Sequence, residues 1–147
     1  MLVSLLIATV AGCGGKVILS DDAVRIRKIY DFVHELKGLY EQRDEHILSM
    51  FSQEYLGDAK EIRGAILKDI DRFNSISLNI FIDRIETNQG NIDISIQWTG
   101  IWKDINKTYR EGGSMVLLAS YGDTIQITGI RGDSPFGVSC LLKTHED

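Results

Sequence analysis

Few residues in this chain have side chains and spacing suited to covalent or acid–base chemistry. Its two thiols, Cys13 and Cys140, lie near opposite ends of 147 residues. They form neither a disulfide framework nor the four-ligand spacing of a zinc site. His34 and His46 fall in helical stretches without a second ligand at i+4, and His145 sits in the tail, so none reads as metal-binding. No nucleophile elbow, phosphate-binding loop or HExxH helix occurs. Asp83, Glu86 and Asp93 gather around a hairpin, where carboxylates ordinarily meet water. No catalytic set, cofactor site or metal site can be assigned. Cys13 stands apart because of what precedes it. Residues 1–12 read MLVSLLIATVAG, without a charge. At about 1.5 Å per residue such a helix reaches only ~20 Å against a ~30 Å hydrocarbon core. It has the length of a signal-peptide apolar core and is too short for a span.

The end of that run, Val10-Ala11-Gly12-Cys13, resembles the lipobox of bacterial lipoproteins: an aliphatic residue, two small ones, then cysteine. Small side chains admit the backbone to a signal peptidase, and the thiol takes a thioether-linked diacylglycerol. The resemblance implies a signal peptide over 1–12, lipidation of Cys13 and a lipidated tether over 13–19. Two or three acyl chains, at ~0.8 kcal/mol per buried methylene, hold a protein stably on a bilayer. The expected location is the bacterial cell envelope. Gly14 follows the cysteine where an aspartate marks inner-membrane retention, which favours the periplasmic face of the outer membrane. A signal peptide opens with Lys or Arg, whereas Met1 runs straight into Leu2; a start codon further upstream is therefore expected. The alternative is that Leu2–Val10 form a buried element and Cys13 is a core thiol.

Behind the tether, composition is that of one globular domain. The chain is 44% hydrophobic, has a single proline and carries a net charge of −5, which excludes a collagen-like or disordered chain and a general nucleic-acid binder. From Ser20 the period is helical, with Ile26, Ile29, Tyr30, Val33, Leu36 and Tyr40 on one stripe. Ser20, Asp21 and Asp22 supply cap and charge. Asp44 offers a fresh cap for a second helix through Ile47, Met50, Phe51 and Tyr55, stopped at Gly57. Asp58 with Glu61 has the form of a capping box for a third, carrying Ile62, Ala65, Ile66, Ile70 and Phe73. The period then becomes two: Ile76 to Ile82; Ile92 to Trp102; Tyr109 to Ala119 with a bulge expected at Gly112-Gly113; Ile125 to Ile130. Short connections imply an antiparallel meander, so the fold class is α+β: N-terminal helices packed on a curved four-stranded sheet. The domain is expected over 20–137, followed by a tail over 138–147.

This order, with Leu39-Tyr40-Glu41-Gln42-Arg43-Asp44, Phe51-Ser52-Gln53-Glu54-Tyr55 and the closing strand Ile125–Asp133, resembles the nuclear transport factor 2-like superfamily, a sheet wrapped on helices into a cone. Enzymes of that superfamily hold Asp, Tyr or His inside the cone, and none of their sets maps onto this chain. Trp98 and Trp102 either fill the core or line the wide end of the cone for an apolar ligand. Arg131-Gly132-Asp133 reads as a strand running into a turn. Cys140 either packs the tail or pairs between molecules. The expected function is a membrane-anchored lipoprotein with a non-catalytic binding or assembly role and a protein partner in the envelope. The rivals are an enzyme or carrier using the cone interior, and a homodimeric scaffold joined through the sheet's outer face.

Overall fold

The computed structural model describes residues 20–142; Cys13, the tether and the last five residues lie outside them. Helix α1 (Asp21–Glu41) starts at Ser20, whose hydroxyl accepts from the Ala23 N–H. A 3₁₀ turn (Glu45–Met50) and a short helix α2 (Gln53–Asp58) follow, then α3 (Lys60–Arg72). Strands β1 (Ser75–Asn88), β2 (Asn91–Lys103), β3 (Thr108–Tyr121) and β4 (Ile125–Gly132) form an antiparallel sheet in the order β1-β2-β3-β4. A last short helix, α4 (Val138–Leu141), packs on α3. The expected class, helices on one face of a four-stranded meander, is the observed one.

The alternation in β2 builds the core. Ile92, Ile94, Ile96, Trp98 and Trp102 all point toward the helices and are buried, where each large side chain is worth roughly 1.5–3 kcal/mol of burial. They meet Ile29, Phe32, Val33, Leu36 and Tyr40 from α1. Ile26 and Tyr30, expected on that stripe, are about half exposed, and Phe32 replaces them. The buried stripe thus begins only at Ile29, and α1's first two turns project beyond the core.

The middle of the helical region departs furthest from expectation. The run from Ile47 to Tyr55 is broken at Phe51, which bridges in parallel to Ile127 of β4, while Ser52 donates its N–H to the Ile127 carbonyl at 2.8 Å. A neighbouring strand thus claims backbone that local periodicity gives to a helix. Gly57 lies inside α2, and α3 is capped by Ala59 without a side-chain bond, so no Asp58–Glu61 capping box forms. Gly112 and Gly113 continue a regular ladder opposite Thr99 and Trp98. The register shifts fall at Ile82/Arg84 and Leu118/Ala119 instead. Glycine at 113 serves close packing, since a Cβ there would come within 2.6 Å of Asp133 and 3.2 Å of the Trp98 ring.

Candidate functional site

Between helices and sheet, the centre of the molecule is filled by rings and a carboxylate. Trp98 and Trp102 stand edge-to-face with centroids 6.0 Å apart, and Phe136 packs edge-on to Tyr40 at 5.0 Å. Asp69, on the inward face of α3, is fully buried. Its Oδ2 accepts from the Tyr40 hydroxyl at 2.6 Å and the Gly137 N–H at 2.5 Å. Its Oδ1 accepts from the Ser139 N–H at 2.9 Å and the Ser139 hydroxyl at 2.6 Å. Trp102 Nε1 donates to the Tyr40 oxygen at 3.0 Å, and the Pro135 carbonyl lies 3.1 Å from that oxygen as a second acceptor. Burial, then the charge of Asp69 and its hydrogen bond, push the Tyr40 phenol well above its ordinary pKa. A tyrosine held protonated beside a carboxylate whose two oxygens carry four donors has no free valence for a substrate. This cluster ties the segment after β4 to α3 and has the properties of a structural clamp.

The concavity lies beside that clamp. A cleft of about 990 Å³ opens between α3 and α4 on one side and the ends of β3 and β4 on the other. Trp98, Phe136, Ala65 and Val138 give it an apolar floor. Lys60 and Lys68 stand on the helical lip, and Glu111 and Asp133 on the strand lip. Trp98 Nε1 donates to the Asp133 carbonyl at 2.7 Å, which fixes the ring as part of the wall. The volume is at the upper end of small-molecule sites, and an apolar floor with charged lips is their usual lining.

Against solved structures the chain overlays a candidate scytalone dehydratase from Novosphingobium aromaticivorans with a TM-score of 0.64, at 10% identity over 77% of this chain and 87% of that one. It overlays a hexachlorocyclohexane dehydrochlorinase (LinA, type 2) with 0.63, at 10% identity over 79% and 88%. A nuclear transport factor 2-like superfamily protein from Salmonella enterica serovar Typhimurium gives 0.61, at 9% identity over 80% and 95%. The fold is that of the nuclear transport factor 2-like superfamily. No protein-family model matches the chain, and no curated protein matches it by sequence.

Within the nuclear transport factor 2-like fold, the tryptophans divide their two expected roles. Trp102 is wholly core, and Trp98 is core on one side and cleft wall on the other. His34 and His46 are exposed, with His46 Nδ1 against its own cap residue Asp44 at 2.7 Å. Asp83 and Glu86 are exposed, and Asp93 faces Arg131 at 3.5 Å. Arg131-Gly132-Asp133 ends β4, with Gly132 at φ +88° and the Asp133 N–H bonded to the Ser114 carbonyl. Cys140 is exposed on the cleft wall and does not pack the tail. Val138 and Ser139 are buried, so the folded body continues past Gly137. Among the described residues no three His, Cys, Asp or Glu side chains converge as metal ligands do, and no helix is long and apolar enough to cross a membrane.

Sequence reasoning missed Asp69. A signal was available: Ile62, Ala65, Ile66, Ile70 and Phe73 define the apolar face of α3, and Asp69 falls within it at i+3 from Ile66. An acid on an apolar face needs buried donors, and the segment after Pro135 supplies them.

Proposed function

We propose that this protein is a lipid-anchored lipoprotein of the bacterial envelope whose domain binds a partly apolar ligand without transforming it. The supporting observation is the division between clamp and cleft. The buried carboxylate of Asp69 is saturated by Tyr40, Gly137 and Ser139, while the open cleft has an aromatic floor and lysines on its lip. A general base needs an accessible lone pair near the substrate proton, and Asp69 presents none. The anchor rests on Val10-Ala11-Gly12-Cys13 and on the stability of multiply acylated proteins on bilayers. The outer face of the sheet is mostly polar and offers a dimer little apolar area, with Ser77, Asn79, Gln97, Thr99, Arg110 and Ser114 exposed there beside the ring of Phe81.

Two experiments test the two halves. Metabolic palmitate labelling should mark the wild type and vanish in Cys13→Ala; labelling unchanged in the variant removes the anchor. For the cleft, an anionic naphthalene probe should bind the detergent-solubilised full chain and quench Trp98. Gly64→Trp should abolish both effects, because Gly64 lines the cleft and a Cβ there meets nothing within 4 Å. Equal binding by Gly64→Trp would show that the cleft is not the site.

A further inference from the structure

The first turns of α1 carry apolar side chains that the core does not use. Ile26 is 47% exposed and Tyr30 is 50% exposed. Ile26 and Tyr30 share a face at i, i+4. Tyr30 borders a shallow groove with His34, Ile80 and Ile82, while the Phe81 side chain points to the sheet's outer face beside Gln97. The outermost strand, β1, flanks this groove, and its Leu78 N–H donates to Glu41 Oε1 at 2.8 Å. The charge around the α1 face is mixed: Asp22, at i−4 from Ile26, shares the face, Arg27 and His34 flank it, and Lys37 in the groove is paired with Glu41. Of the other cations in those turns, Arg25 sits over the Tyr121 ring at 5.4 Å and Lys28 lies on the far side of the helix.

What covers such a patch is decided by where the chain leads. Only residues 14–19 separate Cys13 from the helix cap at Ser20. Six residues span at most ~20 Å, and ten helical residues from Ser20 to Tyr30 add ~15 Å. If acyl chains on Cys13 hold the bilayer, this face is within reach of the headgroups on so short a tether. It also has the composition of an interfacial helix: aliphatic and aromatic side chains with Arg at the margin. We propose that this face of α1 is a second membrane contact, with Ile26 and Tyr30 seated in the headgroup layer of the bilayer that holds Cys13. This rests on the lipid anchor proposed above. Docking through this face would fix the domain's orientation on the membrane.

The test uses the processed, lipidated full chain in phosphatidylcholine–phosphatidylglycerol vesicles, with a bimane label on a single thiol in a Cys140→Ser background. Spin-labelled phospholipid should quench the label at Ile26→Cys at least about threefold more than at Asn106→Cys, which lies on the β2–β3 loop. Tyr30→Glu should remove that excess while palmitate labelling and vesicle retention persist. Equal quenching at both positions in palmitate-labelled protein overturns the docking face and leaves the anchor standing. Protein without palmitate that stays in solution overturns both. Shielding of the label at position 26 that is independent of spin-labelled lipid assigns the face to a second copy of the chain, which also overturns the proposal.

Discussion

Removing the Asp69 carboxylate should be among the most damaging single changes in the molecule. In Asp69→Ala the Tyr40 hydroxyl and the N–H groups of Gly137 and Ser139 lose a fully buried acceptor. The Ser139 hydroxyl can rotate, and Tyr40 retains the Pro135 carbonyl at 3.1 Å. Two backbone N–H groups thus remain unsatisfied, at about 1–3 kcal/mol each. The cavity left by the carboxylate adds to this, while no longer burying a charge subtracts from it. The expected net cost is ~3–5 kcal/mol, a large share of the ~5–15 kcal/mol that holds a domain of this size. Urea unfolding followed by tryptophan fluorescence reads it directly; at ~1–3 kcal/mol per molar, the midpoint should fall by more than 1 M. Should Asp69→Ala fail to fold, Asp69→Asn and Tyr40→Phe form a gentler cycle, expected to show ~1–2 kcal/mol of coupling. A loss below ~1 kcal/mol for Asp69→Ala, or a cycle without coupling, would refute the clamp.

Tyr40 gives a pH signature of the same clamp. Its pKa is raised in the folded state, so its contribution is complete below the unfolded value near 10 and is lost as pH rises toward the folded value. Denaturant midpoints should decline above pH ~10 by up to ~1.4 kcal/mol per unit from this group, a slope absent in Tyr40→Phe. Gly100→Ala should destabilise by about 1–3 kcal/mol, because its Cβ would collide with the Trp102 ring and Leu78. Gly57→Ala meets nothing within 4 Å inside α2 and should be neutral or mildly stabilising by thermal melting. The Asp44 carboxyl is held below its usual pKa, first by the His46 N–H and then by the His46 side chain. Its cap is present above pH ~4 and is lost as pH falls through the depressed value; a carbon-detected NMR titration of Asp44 should show the shift, and an ordinary midpoint would contradict it.

How legible these features were depends on whether the deciding force was local. The sheet announced itself because each inward isoleucine of β2 alternates with a polar residue, and that pattern is set by the strand's own geometry. The 3₁₀ turn and the break at Phe51 did not, since the partner that claims Phe51 and Ser52 is Ile127, far along the chain. Helical period alone places Ile26 and Tyr30 in the core because it continues past the point where the core ends, and only the sheet's extent says where that is. The cleft was invisible for a related reason: Ala65, Trp98, Glu111 and Val138 come from four elements, and no spacing in the sequence joins them.

Clamp and cleft are two consequences of the same segment. Ser134 to Leu141 leaves β4 through Gly132 and Gly137, both with positive φ, where glycine alone is unstrained. The segment is drawn onto α3 by the Asp69 carboxylate at its middle. At Gly137 the approach is so close that a Cβ would stand 2.9 Å from that of Ala65. Phe136 is thereby driven into the interior against Tyr40 and Phe51, which closes the centre of the cone. Val138 and Cys140 are left as a wall facing Trp98 across the cleft. The segment that seals the interior thus also builds the cleft at its rim. The cleft should therefore lose its shape whenever the clamp opens. Exchange of the Gly137 and Ser139 amides, slow in the wild type, should accelerate in Asp69→Asn together with loss of probe binding. Faster exchange with binding intact would separate the two and leave the cleft dependent on α3 alone.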